Sequence, residues 1–129
     1  MKKIFLVEDE KGIAHIVTHF LTKKGYNVDV AHTLPQAMDM FSSEHAIVLL
    51  DILLEGEKSF PLITKIKSTR PETVIIMVSA YDNDDNIREA KRLGADAFIS
   101  KPVMIEQLEQ FLLSKIHLLE KDKDVSSDN

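Results

Sequence analysis

The chain has no cysteine. It also has no excess of basic residues, because it contains 16 Lys and Arg and 21 Asp and Glu. Without cysteine, disulfides and thiolate chemistry are both excluded. Direct binding of nucleic acid needs a clustered excess of Lys and Arg, whereas this chain has a net charge of -5 and a pI of about 5.5. We therefore expect no direct contact with nucleic acid.

Long apolar runs are also absent. The first run, at 4–7, has only four residues before three acids, which is too short for the core of a signal peptide. No segment approaches the roughly 20 apolar residues of a membrane-spanning helix. We expect a soluble cytoplasmic protein with no membrane segment.

What the chain does contain is enough hydrophobic sequence for one folded core. Its 129 residues are 44% hydrophobic and 29% charged, unlike those of disordered proteins. This length suits a single domain. We predict one domain over residues 1–119, followed by a polar tail or linker stub at 120–129.

Short apolar runs alternate with longer segments of helical period, which is typical of α/β proteins. Most of these runs are continuously apolar, as in parallel strands covered by helices on both faces, and the second is the weakest. We predict a (βα)5 domain with a doubly wound, five-stranded parallel sheet in a three-layer sandwich. The five predicted strands are 4–7, 28–31, 46–50, 74–80 and 95–100.

Helical periodicity places four helices between these strands and a fifth over about 105–119. Ile16 belongs to the apolar set that should face the core from the first helix. The fourth helix has few apolar residues, with Ile87, Ala90 and Leu93 as candidates for burial. The residues expected to cap or bound the helices are Gly25, Thr33, Pro71 and Gly94.

Polar residues stand at the carboxyl ends of four predicted strands, where ligands of such sheets gather. Glu8 and Asp9 follow the first strand, Asp51 the third and Lys101 the fifth, and Ser79 lies at the end of the fourth. Three neighbouring carboxylates repel one another unless a cation joins them, and their oxygens suit Mg²⁺. Mg²⁺ and one ammonium would balance three carboxylates, so the pocket could admit an anion.

The acidic pair in "LVEDE", the aspartate in "LLDILL", the hydroxyl in "VSA" and the "KP" in "FISKP" occur in this order. Together they resemble the CheY-like receiver domain of bacterial two-component response regulators, over about residues 2–119. The resemblance implies that Asp51 accepts a phosphoryl group, that Asp9 binds Mg²⁺ directly and that Glu8 acts mainly through water. It also implies that the backbone carbonyl of Leu53 is a metal ligand.

The same resemblance assigns roles to three further residues. Ser79 takes the place of the switch hydroxyl, Phe98 that of the switch aromatic, and Lys101 would contact the phosphoryl oxygens. The implied donor is a phosphohistidine on a sensor histidine kinase or a histidine phosphotransfer protein. The phosphorylated chain would reshape the face made by the fourth helix, fifth strand and fifth helix for an unidentified output partner, with a phosphorylation-dependent homodimer left open.

Such a domain catalyses only its own phosphorylation and dephosphorylation, so we do not expect an enzyme in the usual sense. The alternatives are a pseudo-receiver that binds partners without being phosphorylated, and a flavodoxin-like flavin binder. A flavin binder needs glycines or hydroxyls after the first strand to cradle phosphate, where this chain has "EDE".

The departures from the family pattern follow Asp51. The family usually has a proline four residues after the phosphoacceptor and a glycine eight after it, and here these positions hold Glu55 and Ser59. We expect this loop to tune metal affinity or the choice of partner without removing the chemistry.

Overall fold

The computed structural model describes residues 3–80, 83–101 and 110. In chain order the described strands are β1 (Lys3–Val7), β2 (Asn27–Ala31), β3 (His45–Leu50), β4 (Leu53–Leu54), β5 (Glu57–Lys58), β6 (Val74–Ser79) and β7 (Ala97–Ser100). Five of them form one parallel sheet in the order β2-β1-β3-β6-β7, which confirms the doubly wound α/β fold.

Four helices lie between these strands: α1 (Lys11–Lys23), α2 (Leu34–Met40), α3 (Phe60–Thr69) and α4 (Asp84–Leu93). Thr33 caps α2 as predicted, because its side chain accepts a hydrogen bond from the N–H of Gln36 at 3.2 Å. None of the described helices combines the length and the apolar character needed to cross a bilayer.

Two predictions concern residues that the structure largely does not describe. These are the fifth helix at 105–119, of which only residue 110 is described, and the tail at 120–129. The domain boundary at residue 119 therefore stays a prediction.

The hydrophobic core forms one layer on each face of the sheet. One layer contains Ile63 and Ile66 of α3, and the other contains Ala14 and Leu21 of α1. Strand β3 is buried along its whole length, whereas β2 is an edge strand of the described sheet and is only partly buried. This edge position explains why the second strand has the weakest apolar pattern.

The predicted buried faces of two helices need correction. Ile16 is 57% exposed, because α1 turns Ala14 and Leu21 toward the sheet and leaves Ile16 at the far edge of its apolar stripe. In α4, Ala90 is buried as predicted, but the other buried residue is Asn86.

A short antiparallel hairpin, which the sequence did not predict, follows β3. Strand β4 pairs with β5 across a two-residue turn formed by Glu55, with φ of 50°, and Gly56, with φ of 86°. Positive φ at both central residues is the pattern of a type I′ turn, whose twist matches that of paired strands. The hairpin occupies the loop in which the sequence departs from the family pattern.

Candidate functional site

Hydrogen bonds along the sheet bring the ends of its strands to a common edge. The N–H of Asp51 donates to the carbonyl of Val7 at 3.2 Å, which aligns the end of β3 with that of β1. The N–H of Lys101 donates to the carbonyl of Ser79 at 3.0 Å and aligns β7 with β6 in the same way. The strand ends that carry the predicted site residues therefore lie side by side at one edge of the sheet.

Three carboxylates meet at this edge. Glu8, Asp9 and Asp51 each offer one oxygen, and these oxygens all lie within 4.8 Å of one another. Glu8 and Asp51 are buried, while Asp9 is half-buried. Burial of like charges at this spacing is unfavourable, so the cluster needs a positive charge.

Lys101 supplies one positive charge. Its Nζ lies 2.6 Å from Oε1 of Glu8 and 2.9 Å from Oδ2 of Asp51, and donates a hydrogen bond to each. Three carboxylates and one ammonium leave two net negative charges, which is the charge that one divalent cation balances. The oxygen donor set and this remaining charge both fit Mg²⁺.

The pKa values of Glu8 and Lys101 are both raised above their usual values. Burial raises the pKa of Glu8, and hydrogen bonds from Lys101 and from the N–H of Glu10 only partly offset that effect. Burial lowers the pKa of Lys101, but the hydrogen bonds and negative charges of Glu8 and Asp51 outweigh it and leave the pKa above its usual value. Desolvation therefore determines the direction of the shift at Glu8, whereas the neighbouring carboxylates determine it at Lys101.

The hairpin of β4 and β5 forms a hydrogen bond with the side chain of Asp9. Its Oδ2 accepts a hydrogen bond from the backbone N–H of Glu55 at 3.0 Å. Partial burial raises the pKa of Asp9, but hydrogen bonding, led by the Glu55 N–H, outweighs this and keeps the pKa below its usual value. Asp9 is therefore stabilised as a carboxylate, the form that can bind a metal ion.

The other predicted site residues, Ser79, Phe98 and Leu53, all lie in the described part of the chain. Ser79 is fully buried at the end of β6. Phe98 lies on β7 opposite Met77, half-buried, and packs against the hydrophobic core instead of joining the carboxylate cluster. The N–H of Leu53 donates to Oδ1 of Asp51 at 3.4 Å, whereas the metal-binding role of the Leu53 carbonyl stays a prediction.

The structure also adds contacts that no sequence pattern indicates. Ser59 is fully buried, and its hydroxyl donates to the carbonyl of Asp51 at 2.5 Å. Its φ of -85° is one that any residue adopts, so the position does not require a glycine. His32 donates from Nδ1 to the carbonyl of Glu8 at 2.9 Å and fixes the backbone at the end of β1. A lone serine or histidine carries no sequence signal for such contacts.

The sequence of this chain is similar to that of a longer curated protein. A cyclic di-GMP phosphodiesterase of Thermotoga maritima is 31% identical over 105 residues, which are 81% of this chain and 28% of that protein. The chain thus spans 28% of the length of this curated relative.

Two solved structures are similar along most of the chain. A CheY-like response regulator receiver domain protein from Methanospirillum hungatei is 29% identical, with a TM-score of 0.84, and the match covers 95% of this chain and 98% of that one. The non-phosphorylated HemR receiver domain of Leptospira biflexa is 26% identical, with a TM-score of 0.79 and coverage of 88% and 90%.

The family match extends over most of the sequence. Residues 4–113 match the family described as the response regulator receiver domain. This range contains the carboxylate cluster, Ser79, Phe98 and Lys101. The chain belongs to the response regulator receiver domain family of two-component systems.

Proposed function

We propose that Asp51 accepts a phosphoryl group from a phosphohistidine on a sensor histidine kinase or a histidine phosphotransfer protein, with Mg²⁺ as cofactor. The observation that carries this proposal is the position of Asp51, buried at a strand end, within 4.8 Å of two further carboxylates and 2.9 Å from the ammonium of Lys101. A structural carboxylate has no need of two acidic neighbours.

The transfer needs a nucleophile and positive charge around the phosphorus. An oxygen of Asp51 forms the new bond to phosphorus while the bond from phosphorus to the histidine nitrogen breaks, and the ring nitrogen keeps that electron pair. Lys101 then pairs with the phosphoryl oxygens instead of the carboxylates. Asp9, Asp51 and the carbonyl of Leu53 would hold Mg²⁺, with Glu8 acting through water, and the ion would supply the remaining neutralising charge.

The signal is a shift between two packed arrangements. Ser79, buried at the end of β6, would turn toward the phosphoryl oxygens, and Phe98 on the neighbouring strand would move inward. The half-buried position of Phe98 supports this role, because the exposed part of the side chain would become buried in such a movement. The face that changes comprises α4, β7 and the predicted fifth helix, which lies outside the described residues.

The partners and setting follow from the same chemistry. The chain catalyses only its own phosphorylation and dephosphorylation, and it works in the cytoplasm, where sensor kinases present their phosphohistidine. An output domain or separate protein reads the α4 and β7 face.

Phosphorylation from a small donor tests the proposal. The protein is incubated with acetyl phosphate, with and without Mg²⁺, and its intact mass is measured. We expect wild type to gain one phosphoryl group only with Mg²⁺, and Asp51→Asn to gain none. If neither acetyl phosphate nor a phosphorylated histidine kinase labels wild type, the pseudo-receiver alternative is correct. A flavin absorption band after reconstitution with flavin would support the flavin binder instead.

A further inference from the structure

The hairpin formed by β4 and β5 is attached to the site at both its base and its tip. At the base, Ser59 donates from its N–H to the carbonyl of Ile52 at 2.7 Å and from its hydroxyl to the carbonyl of Asp51 at 2.5 Å. At the tip, the N–H of Glu55 donates to Oδ2 of Asp9 at 3.0 Å. The hairpin thus connects the strand end that carries Asp51 with the strand end that carries Asp9.

We propose that the hairpin tip is a positioning element for the metal site, in which the backbone N–H of Glu55 orients the carboxylate of Asp9 toward Glu8 and Asp51. This inference rests on the proposed function, because it concerns the affinity of that site for Mg²⁺. Glu55 acts as a positioning residue, because its role depends on the hydrogen bond to Asp9.

The backbone conformation of the turn makes this contact available. Glu55 has φ of 50° and Gly56 has φ of 86°, so the N–H of Glu55 points to Asp9 only while the chain keeps a left-handed turn. A proline, which the family usually has at this position, fixes φ near -65° and has no N–H. The departure from the family pattern therefore supplies a hydrogen-bond donor that the usual residue cannot provide.

The side chain of Glu55 is not needed for this effect. Glu55, Gly56 and Glu57 are all exposed, so solvent screens the carboxylates of this turn. Asp9, in contrast, is half-buried, and a hydrogen bond to its charged form offsets part of the cost of desolvation. Partners that orient a metal ligand in this way typically change metal affinity by about tenfold to a hundredfold when lost.

Two substitutions at one position separate the backbone effect from the side-chain charge. Glu55→Pro removes the N–H and the left-handed conformation, and we expect the Mg²⁺ dissociation constant, measured by calorimetry, to rise by about tenfold. Glu55→Asn removes the charge but keeps the N–H, and asparagine adopts left-handed conformations readily. We expect its affinity to stay near that of wild type.

A second variant covers the case in which Glu55→Pro fails to fold, as judged by circular dichroism. Gly56→Ala adds a Cβ that meets no atom within 4 Å, so it disturbs the turn only through the positive φ. We expect a smaller loss of Mg²⁺ affinity in the same direction. The amide resonance of Glu55 provides a second signal, since it should shift on addition of Mg²⁺ to wild type.

The outcomes distinguish this inference from the function on which it rests. If wild type binds no Mg²⁺, the proposed metal site itself is wrong. If wild type binds Mg²⁺ and both Glu55→Pro and Gly56→Ala bind it equally well, the positioning role is wrong. Equal losses in Glu55→Pro and Glu55→Asn would also overturn it, because the side-chain charge would then carry the effect.

Discussion

The ammonium of Lys101 lies 2.6 Å from Oε1 of Glu8, a residue 93 positions away in the chain. The same nitrogen lies 2.9 Å from Oδ2 of Asp51, so one lysine bridges two buried carboxylates. This bridge has two consequences. It stabilises the ends of β1 and β3 against charge repulsion, and it competes with any other cation that approaches the same oxygens.

Substitution of Lys101 tests the bridge. In Lys101→Gln, two buried carboxylates lose their cation, and we expect the metal-free protein to lose up to about 3 kcal/mol of unfolding free energy in urea. Mg²⁺ affinity should rise, since the ammonium no longer shares these oxygens. Lys91→Gln, at an exposed position on α4, is the matched control. Weaker Mg²⁺ binding by Lys101→Gln than by wild type would contradict the competition.

Glu8 gives a prediction for pH. Its folded pKa is raised above 4.5, so its contribution to stability is fully present below pH 4.5 and is lost as pH rises through the folded pKa. Metal-free wild type should therefore lose stability relative to Glu8→Gln as pH increases over that range. Saturating Mg²⁺ should reduce the loss, because the ion favours the carboxylate. If the difference in unfolding free energy between wild type and Glu8→Gln stayed constant across this pH range, the pKa of Glu8 would not be raised. Glu57→Gln, at an exposed position, serves as the control.

Ser59 tests the base of the hairpin. Ser59→Ala leaves the buried carbonyl of Asp51 without the hydroxyl that now donates to it, and we expect a loss of about 1 to 3 kcal/mol in unfolding free energy. Ser68→Ala removes an exposed serine hydroxyl from α3 and should change stability far less. Similar stabilities for the two variants would show that the hydroxyl of Ser59 adds nothing to the fold.

Ser79 tests the switch separately from the chemistry. Ser79→Ala keeps Asp51, Asp9 and Lys101, so acetyl phosphate should still label the protein. The inward movement of Phe98 should be lost, because no hydroxyl draws β6 toward the phosphoryl group. Ring resonances of Phe98 before and after phosphorylation measure this. A full shift in Ser79→Ala would remove Ser79 from the switch.

The parts that could be predicted from the sequence are those that topology determines. Continuous apolar runs indicate parallel strands, and parallel strands bring their carboxyl ends to one edge. It is therefore enough to know that Glu8, Asp9, Asp51 and Lys101 each follow a parallel strand of one sheet to place them at the same edge. The helix caps at Thr33 and Gly25 are local signals and are equally readable.

Other features depend on packing that a local pattern does not contain. The apolar stripe of α1 is wider than its contact with the sheet, so spacing alone could not show that Ile16 lies outside the buried face. The hairpin strands have only two residues each, too few for an alternating pattern, and Glu-Gly is a weaker turn signal than Asn-Gly. The contacts of Ser59 and Glu55 follow from that unforeseen hairpin.

Chemical mapping of the labelled protein identifies the residue that carries the phosphoryl group, which we propose is Asp51. Borohydride reduces an aspartyl phosphate to homoserine, which peptide mass spectrometry then locates. After labelling with acetyl phosphate and Mg²⁺, we expect homoserine at residue 51 and at no other aspartate. Homoserine at position 9, or a stable phosphoryl group on a serine or histidine with Asp51 unchanged, would show that Asp51 is not the phosphoacceptor.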